Sequence, residues 1–510
     1  MIAKVKSCGL LGIDGYIVEV ETDIANGMPA FDVVGLPDAA VKESRERVRS
    51  AMKNSDLSFP QRRITVNLAP ANIRKEGPFY DLPICLGLLR SSGQLPGDEP
   101  DEYLFLGELS LNGTLRPVTG ALPMVLCAAQ AGIKKVILPA ENAQEAAVVT
   151  DVEVYPAKTL GQIMAHFLHI ERLQRITVNV DDLFKNNSIH CPDFSDVRGQ
   201  ESVKRALEVA AAGGHNVLLI GSPGSGKTML AQRLPGILPQ PTLAEALEIT
   251  KIHSIAGVLP SDTPLITTRP FRSPHHTISP ASLSGGGQVP RPGEVSLSHN
   301  GVLFLDELPE FNKNALEVLR QPLEDGVVTI SRVSATLTYP CNTMLVAAMN
   351  PCKCGYHGDP HRECTCTDAQ IHSYLSKISG PLLDRIDLHI EVPAVPYQEL
   401  SSKTRGESSE AIRARVNAAR ERQAHRFADS PGIFSNAQMS SRMTDTYCAL
   451  GTEENALMQS VFDNLGLSAR AHNRILKVAR TIADLADSPD IRTEHLAEAI
   501  QYRSLDRKYW

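Results

Sequence analysis

The stretch Gly221-Ser222-Pro223-Gly224-Ser225-Gly226-Lys227-Thr228 follows a short apolar run, 216–220, and precedes a segment with helical spacing. It fits the pattern G-x-x-x-x-G-K-[ST], in which the glycines let the backbone turn its N–H groups toward a chain of phosphates. Lys227 offers a positive charge to the β- and γ-phosphates, and Thr228 offers a hydroxyl to Mg²⁺. A chance glycine-rich turn is disfavoured because the flanking strand and helix are both present. The stretch therefore predicts an α/β fold that binds ATP and Mg²⁺.

Two carboxylates directly follow another apolar strand, 302–305. We expect Asp306 to hold Mg²⁺ through water and Glu307 to polarise the water that attacks the γ-phosphate. Asn350 ends a further strand of the buried type and is expected to orient that water or to contact the γ-phosphate. Its alternative role is that of a turn-forming residue before Pro351. These residues together predict ATP hydrolysis.

Arginines in the second half of the chain are candidates for contacts with phosphates. Arg385 lies between apolar residues and two acids, and it is either a finger that reaches the γ-phosphate of an adjacent subunit or part of a local salt bridge. Arg470 opens a helix and could contact the nucleotide from a small helical domain. The predicted helix 411–427 is rich in arginine and either follows a phosphate backbone or is simply solvated. Its arginines are Arg413, Arg415, Arg420, Arg422 and Arg426.

Four of the ten cysteines lie within fifteen residues of one another. They are Cys352, Cys354, Cys364 and Cys366. Four soft ligands in two close pairs are typical of a structural, tetrahedral Zn²⁺ site, although C-x-C is tighter than the usual spacing. His357 and His361 lie between the pairs and could replace one thiol. The alternative is a set of reduced cysteines without a metal.

Size and composition place limits on the function. A chain of 510 residues predicts several domains, and its formal net charge of −7 argues against a wholly basic surface that coats nucleic acid. The sequence contains no apolar run of the length that a membrane span requires. Its N-terminal residues do not resemble a secretory signal, so a cytoplasmic location is expected.

The pattern of strands, helices and polar stretches predicts four regions. Residues 1–170 are expected to form an α/β domain, 171–192 a linker, 193–395 the ATPase core and 396–510 a helical domain. Because strands alternate with helices in the core, we expect a parallel sheet there.

The nucleotide-site residues together resemble those of AAA+ ATPases. Further motifs are Phe271-Arg272-Ser273-Pro274-His275-His276-Thr277, Gly285-Gly286-Gly287, Pro292-Gly293-Glu294 and His299-Asn300-Gly301. They resemble the magnesium-chelatase-like branch, and the whole chain is similar to the YifB/ComM family within it. The resemblance implies an insertion in the second helix of the core at 273–290 and a hairpin at 327–340. The cysteine pairs themselves mark a loop at 351–367. In hexameric helicases of this branch the insertion and the hairpin project into a central channel. This makes Arg332 a candidate contact with a DNA phosphate. The alternative, that Arg332 is a solvated residue at the tip of the hairpin, is equally open.

The N-terminal region resembles the catalytic domain of Lon proteases. The resemblance rests on Lys75-Glu76-Gly77-Pro78 and on residues 107–113. Phe79 and Leu122 stand where the protease has its nucleophilic serine and its lysine, so no peptidase activity is expected. The domain is instead expected to serve oligomerisation or DNA binding. A basic cluster either faces nucleic acid or is a solvated surface; it comprises Lys42, Arg45, Arg47, Arg49, Arg62 and Arg63.

The family resemblance implies a homo-hexameric ATPase that moves on DNA and migrates branches of recombination intermediates, including those of natural transformation. Two other functions stay open. The first is a magnesium-chelatase-type motor subunit, and the second is a chaperone-like AAA+ ATPase that acts on protein.

Overall fold

A computed structural model describes residues 2–185, 191–287, 290–331, 336–360, 362–401, 405–430, 432–465 and 468–505. The chain divides into two compact units. The first unit comprises Met1–Asn187 and Leu243–Thr267, and the second comprises Ser188–Thr242 and Thr268–Trp510. Within the described ranges, no helix has both the length and the apolar character needed to cross a membrane.

The strands are β1 Ala3–Leu11, β2 Asp14–Ala25, β3 Ala30–Val34, β4 Arg63–Ala69, β5 Tyr103–Phe105, β6 Glu108–Leu109, β7 Leu115–Arg116, β8 Lys135–Pro139, β9 Glu153–Ala157, β10 Val217–Ile220, β11 Phe271–Arg272, β12 Gly285–Gly286, β13 Arg291–Pro292, β14 Val302–Leu305, β15 Val327–Ser331, β16 Thr336–Pro340, β17 Met344–Met349 and β18 Leu388–Glu391.

The helices are α1 Ala39–Lys42, α2 Ser44–Asn54, α3 Asp81–Ser91, α4 Ala121–Gln130, α5 Ala143–Ala146, α6 Leu160–Phe167, α7 Val180–Lys185, α8 Glu201–Gly213, α9 Lys227–Arg233, α10 Leu243–Ala256, α11 Pro280–Ser284, α12 Glu294–Leu297, α13 Lys313–Glu317, α14 Pro322–Asp325, α15 Asp368–Leu375, α16 Gly380–Leu383, α17 Tyr397–Leu400, α18 Ser409–Arg426, α19 Ser441–Tyr447, α20 Thr452–Leu465, α21 Ala469–Leu485 and α22 Thr493–Gln501.

The first unit is built on a mixed sheet with strand order β3-β4-β2-β1-β5-β8-β9. Buried and less buried residues alternate along β4, as expected for a strand with one face on a core. Helix α3 is buried along most of its length. Phe79 and Leu122 are both buried in this core.

A buried ion pair joins the basic cluster of the first unit to its core. Asp81 is 1% exposed, and its two carboxylate oxygens accept hydrogen bonds from Arg47 at 2.6 and 3.0 Å. Burial raises the pKa of Asp81 to about 6, and the Arg47 guanidinium opposes that rise. Arg47 is therefore paired with a buried carboxylate of its own unit.

Two segments of the first unit depart from the predicted boundaries. Helix α10, expected in the ATPase core, packs in the first unit, where Ser254 donates a hydrogen bond to Glu145 at 2.7 Å and Lys251 lies 3.0 Å from Asp14. The expected linker also begins inside this unit, because Ile176 bridges Val154. Their partners lie far away in the chain, so local sequence patterns do not reveal this packing.

The second unit contains a sheet of five parallel strands in the order β11-β14-β17-β10-β18. Strands β10, β14 and β17 are buried at every position, as expected when helices cover both faces of a parallel sheet. Helices α18 to α22 follow the sheet in the chain. The predicted α/β fold, with a parallel core sheet and a C-terminal helical region, is confirmed.

The arginines of α18 are held by acceptors within the second unit. Arg415 contacts Glu208 and Glu407, Arg422 donates to the Asp484 carbonyl, and Arg426 contacts the Asp484 carboxylate. Arg413 and Arg420 donate to backbone carbonyls. These internal contacts explain the arginine-rich sequence without a phosphate backbone.

Asp484 is the centre of a buried polar network. It is 1% exposed and accepts hydrogen bonds from Arg426, Arg480 and Asn436. Since both arginines are also poorly exposed, the carboxylate compensates two positive charges that are withdrawn from water.

We expect Asp484→Asn to lower the free energy of unfolding by about 3 kcal/mol or more, because buried guanidinium groups would lose their carboxylate. Asp487→Asn is the matched control, since its 78% exposed side chain makes a surface ion pair with Arg422. The control should change stability by less than about 1 kcal/mol. Urea denaturation followed by circular dichroism measures both, and equal losses would contradict the assignment.

Candidate functional site

The glycine-rich loop connects β10 to α9. Gly224 and Gly226 adopt φ angles of 80° and 90°, a left-handed conformation that glycine adopts without a Cβ penalty. Lys227, at the start of α9, is 8% exposed, and its ammonium donates to the carbonyls of Gly221 and Ser222 at 2.8 and 3.0 Å. Burial lowers the pKa of Lys227, and the Asp306 carboxylate opposes that shift. The loop thus gathers backbone N–H groups and a cation at a helix start, an arrangement suited to phosphates.

The predicted magnesium residues lie in direct contact. The Thr228 hydroxyl donates to one carboxylate oxygen of Asp306 at 2.6 Å, although the residues are 78 positions apart. The other oxygen of Asp306 accepts from the Glu307 N–H at 2.9 Å. A hydroxyl and a carboxylate are hard oxygen ligands that suit Mg²⁺, so these two residues fit a magnesium site.

Glu307 is held in an uncommon conformation. Its φ of 54° places a non-glycine residue in the left-handed region, which recurs at functional sites. Its carboxylate is 58% exposed and lies 3.4 Å from Nδ1 of His276. His276 also lies close to the His275 ring. In the sequence His276 is marked only as part of a motif, whereas in the structure it contacts the candidate base.

Asn350 joins the same group from the end of β17. Its side-chain oxygen accepts a hydrogen bond from Lys227 at 3.2 Å, across 123 positions of sequence. Gln200, which belongs to no motif of the sequence, also contacts the loop. Its amide donates to the carbonyls of Ser225 and Pro393 at 2.8 and 3.0 Å and so braces the loop. No spacing marks it, because its partners lie 25 and 193 residues away.

Arg385 and Arg470 lie away from this loop. Both line a cleft of about 600 Å³ in the second unit, and no residue from Gly221 to Thr228 lines it. Arg385 makes the local salt bridge that was its alternative role, with Glu324, and donates to the Pro381 carbonyl at 2.7 Å. Arg470 is 64% exposed. Arg474 and Lys477 line the same cleft, together with acidic residues that include Asp384 and Asp387.

Buried polar contacts fix the segment that carries Arg385. The Asn216 side chain donates to the Arg385 carbonyl at 2.9 Å, and Asp387 contacts both Arg474 and His215. Burial raises the pKa of Asp387, but Arg474 and His215 lower it by more, so the pKa lies well below its usual range. Asp387 therefore stays ionised and keeps this segment attached to α21.

The predicted insertion and the predicted hairpin touch each other. The Tyr339 hydroxyl, on β16, donates to the Pro290 carbonyl at 3.0 Å. A Cβ at Gly285 would lie 2.9 Å from Cδ1 of Ile330, on β15, so glycine permits the close approach. Arg272 forms a bidentate ion pair with Glu294 at 2.7 and 2.8 Å, which closes the base of the insertion. Arg332 lies outside the described residues.

The four predicted cysteines converge. Their sulfur atoms all lie within 4.8 Å of one another. The distances among the Sγ atoms of Cys352, Cys354 and Cys364 are 3.3, 3.5 and 3.6 Å. Sulfurs bound tetrahedrally to Zn²⁺ would be about 3.8 Å apart, as follows from Zn–S bonds of about 2.3 Å. The cluster therefore fits a tetrahedral metal site; His361 lies outside the described residues.

Models of known families cover most of the chain. The family described as magnesium chelatase, subunit ChlI, matches residues 193–400. Two further models, subunit ChlI of Mg-chelatase and the ChlI C-terminal region, match residues 20–142 and 406–503. The first and third of these matches correspond to the region of the nucleotide loop and to the helices that follow it.

Similarity to individual proteins extends from end to end. The chain is 43% identical over 510 residues to Competence protein ComM of Haemophilus influenzae, covering 99% of this chain and 98% of that one. It is 45% identical over 498 residues to YifB of Escherichia coli, covering 98% and 96%. A shorter match, 30% identical over 171 residues and 30% of each chain, is to Lon protease 2 of Bacillus subtilis. The chain belongs to the YifB/ComM family of magnesium-chelatase-like AAA+ ATPases.

Proposed function

We propose that the protein is a hexameric, ATP-driven motor that acts on DNA, in the manner of a helicase or branch-migration ATPase of recombination or natural transformation. The observation that carries this proposal is the near-complete match to a protein named for competence. The nucleotide loop, the acidic pair and Asn350 lie together in the structure and provide the means of using ATP.

ATP hydrolysis is assigned to residues at the carboxyl ends of three strands. The loop N–H groups and Lys227 hold the phosphates, and Thr228 and Asp306 hold Mg²⁺, which neutralises phosphate charge when bound. Glu307 accepts the proton of the attacking water. Asn350 positions that water or contacts the γ-phosphate. The contact between His276 and Glu307 supports this role, because it limits where the carboxylate can point.

The second half of the active site is assigned to a neighbouring subunit. Arg385 and Arg470 line a cleft to which no residue of the chain's own nucleotide loop contributes. Presented across a subunit interface, the cleft would bring these arginines to the γ-phosphate of the next chain. A closed ring in which each cleft meets the next loop is a head-to-tail assembly, and a homo-hexamer is the proposed form.

DNA contact is assigned to the insertion and the hairpin β15–β16. Their direct packing through Tyr339 and Gly285, with the Arg272–Glu294 ion pair at the base, supports treating them as one element. An element of this kind could move as a unit when the ATP site changes. The four cysteines are assigned a structural Zn²⁺, with no open coordination position for catalysis.

A magnesium-chelatase-type motor subunit is the second candidate function. The three ChlI family models favour it, since together they match both units. Action on protein, as a chaperone-like ATPase, is the third.

Glu307→Gln should bind ATP normally but hydrolyse it about 10²–10⁴-fold more slowly, because an amide cannot accept the proton. Lys227→Ala should lose nucleotide binding. Glu310→Gln is the matched control; its carboxylate lies 3.4 Å from Lys377, and turnover should be unchanged. Fluorescent-nucleotide titration and phosphate release separate the two effects. Normal turnover by Glu307→Gln would refute its role.

Arg385→Ala and Glu307→Gln should each be inactive alone but regain turnover when mixed. In a random mixed ring, about a quarter of the sites combine an intact Arg385 with an intact Glu307 from the neighbouring chain. Phosphate release at constant total protein concentration measures the recovery. A mixture no more active than its components would show that Arg385 does not act between subunits.

Forked or four-way DNA should stimulate ATP turnover several-fold, and the protein should displace a labelled strand only when ATP is hydrolysed. The Glu307→Gln variant provides the control for hydrolysis-independent melting. Turnover that responds only to a porphyrin-synthesis partner would favour the chelatase function. Turnover that responds to neither DNA nor a porphyrin-synthesis partner would favour action on protein.

A further inference from the structure

The cysteine cluster lies beside the nucleotide loop. Gly355, between the two cysteine pairs, has a φ of 88°, and a Cβ built on it would lie 2.5 Å from Cδ and 2.6 Å from Cγ of Pro223. Pro223 is the third residue of the phosphate-binding loop. The backbone of the cysteine loop therefore rests directly on the proline ring, and only a residue without a Cβ fits there.

A second connection runs along the chain. Asn350, which accepts a hydrogen bond from Lys227, is two residues before Cys352. Cys352 is fully buried, and its carbonyl accepts a hydrogen bond from the Gly355 N–H at 3.0 Å. The first cysteine pair thus lies between two contacts with the nucleotide loop, one through Lys227 and one through Pro223.

The second cysteine pair is tied to the first mainly through sulfur. Cys364 lies 3.6 Å from Cys352 and 3.5 Å from Cys354, across ten or more positions of sequence. A metal ion bonded to all four thiolates would crosslink the two cysteine pairs and so fix both ends of this loop. Fixing the loop ends removes conformational freedom from Gly355 and so fixes the surface on which Pro223 rests.

We propose that a metal ion held by Cys352, Cys354, Cys364 and Cys366 sets the conformation of the phosphate-binding loop through the Gly355–Pro223 contact, so that nucleotide affinity depends on the metal. This inference rests on the proposed ATP and zinc functions. It assigns the metal a role beyond stabilising its own loop: the ion supports the active site without touching nucleotide.

The experiment measures zinc content and the affinity for a fluorescent ATP analogue, in the presence of Mg²⁺, on the full-length reduced protein. Wild-type protein should contain about one zinc per chain. The double variant Cys364→Ser/Cys366→Ser should contain none and should bind nucleotide roughly tenfold more weakly, because a loop displaced by even ~1 Å loses aligned contacts. Wild-type protein stripped of zinc by a chelator should regain affinity when Zn²⁺ is restored.

Gly355→Ala separates the contact from the metal. It should keep its zinc, and therefore its folded loop, yet bind nucleotide roughly tenfold more weakly because its methyl group displaces Pro223. Gly97→Ala is the matched control: Gly97 has nearly the same φ, 86°, but nothing lies within 4 Å of the added Cβ. Cys191→Ser, at a cysteine outside the cluster, controls for thiol loss and should change neither quantity.

Wild-type affinity in the zinc-free double variant, or in Gly355→Ala, would overturn the inference. Absence of zinc from the reduced wild-type protein would overturn it together with the metal assignment. Zinc-loaded wild-type protein that binds no nucleotide would contradict the ATP function itself. Because the readout is nucleotide binding, a failure to act on DNA would leave the inference standing.

Discussion

The parallel direction of β10, β14 and β17 is the constraint on which the candidate site depends. Parallel strands present their carboxyl ends at one edge of a sheet, so the residues that follow each strand meet there. The Thr228–Asp306 and Lys227–Asn350 hydrogen bonds are the direct result. They join segments 78 and 123 residues apart, which no local preference of the chain could bring together.

The same sheet separates the two halves of the proposed active site. The strand ends hold the groups that bind phosphate and activate water, whereas Arg385 and Arg470 line a cleft that the loop does not reach. A chain with this arrangement has complementary parts on different surfaces. In the proposed motor, assembly is therefore a chemical requirement of hydrolysis, because the arginine charges reach a γ-phosphate only from a neighbouring chain.

Buried charge is used mainly for internal structure. Asp81 holds Arg47, Asp484 holds Arg426 and Arg480, and Asp387 holds Arg474. Such pairs are costly to break, since the remaining partner would be a buried, uncompensated charge. These pairs account for Arg47 and Arg426, two of the arginines that were candidates for contacts with nucleic acid.

The sequence by itself determined the features that are local: the strand–loop–helix around Lys227, the paired carboxylates after an apolar strand, the four clustered cysteines and the motifs of the family. Only the tertiary structure decided that α10 packs in the first unit, that Gln200 braces the loop, that His276 contacts Glu307 and that Gly355 rests on Pro223. The physical reason is the same in each case. Backbone turns, strand burial and ligand spacing are encoded by neighbouring residues, whereas these contacts depend on how distant segments pack.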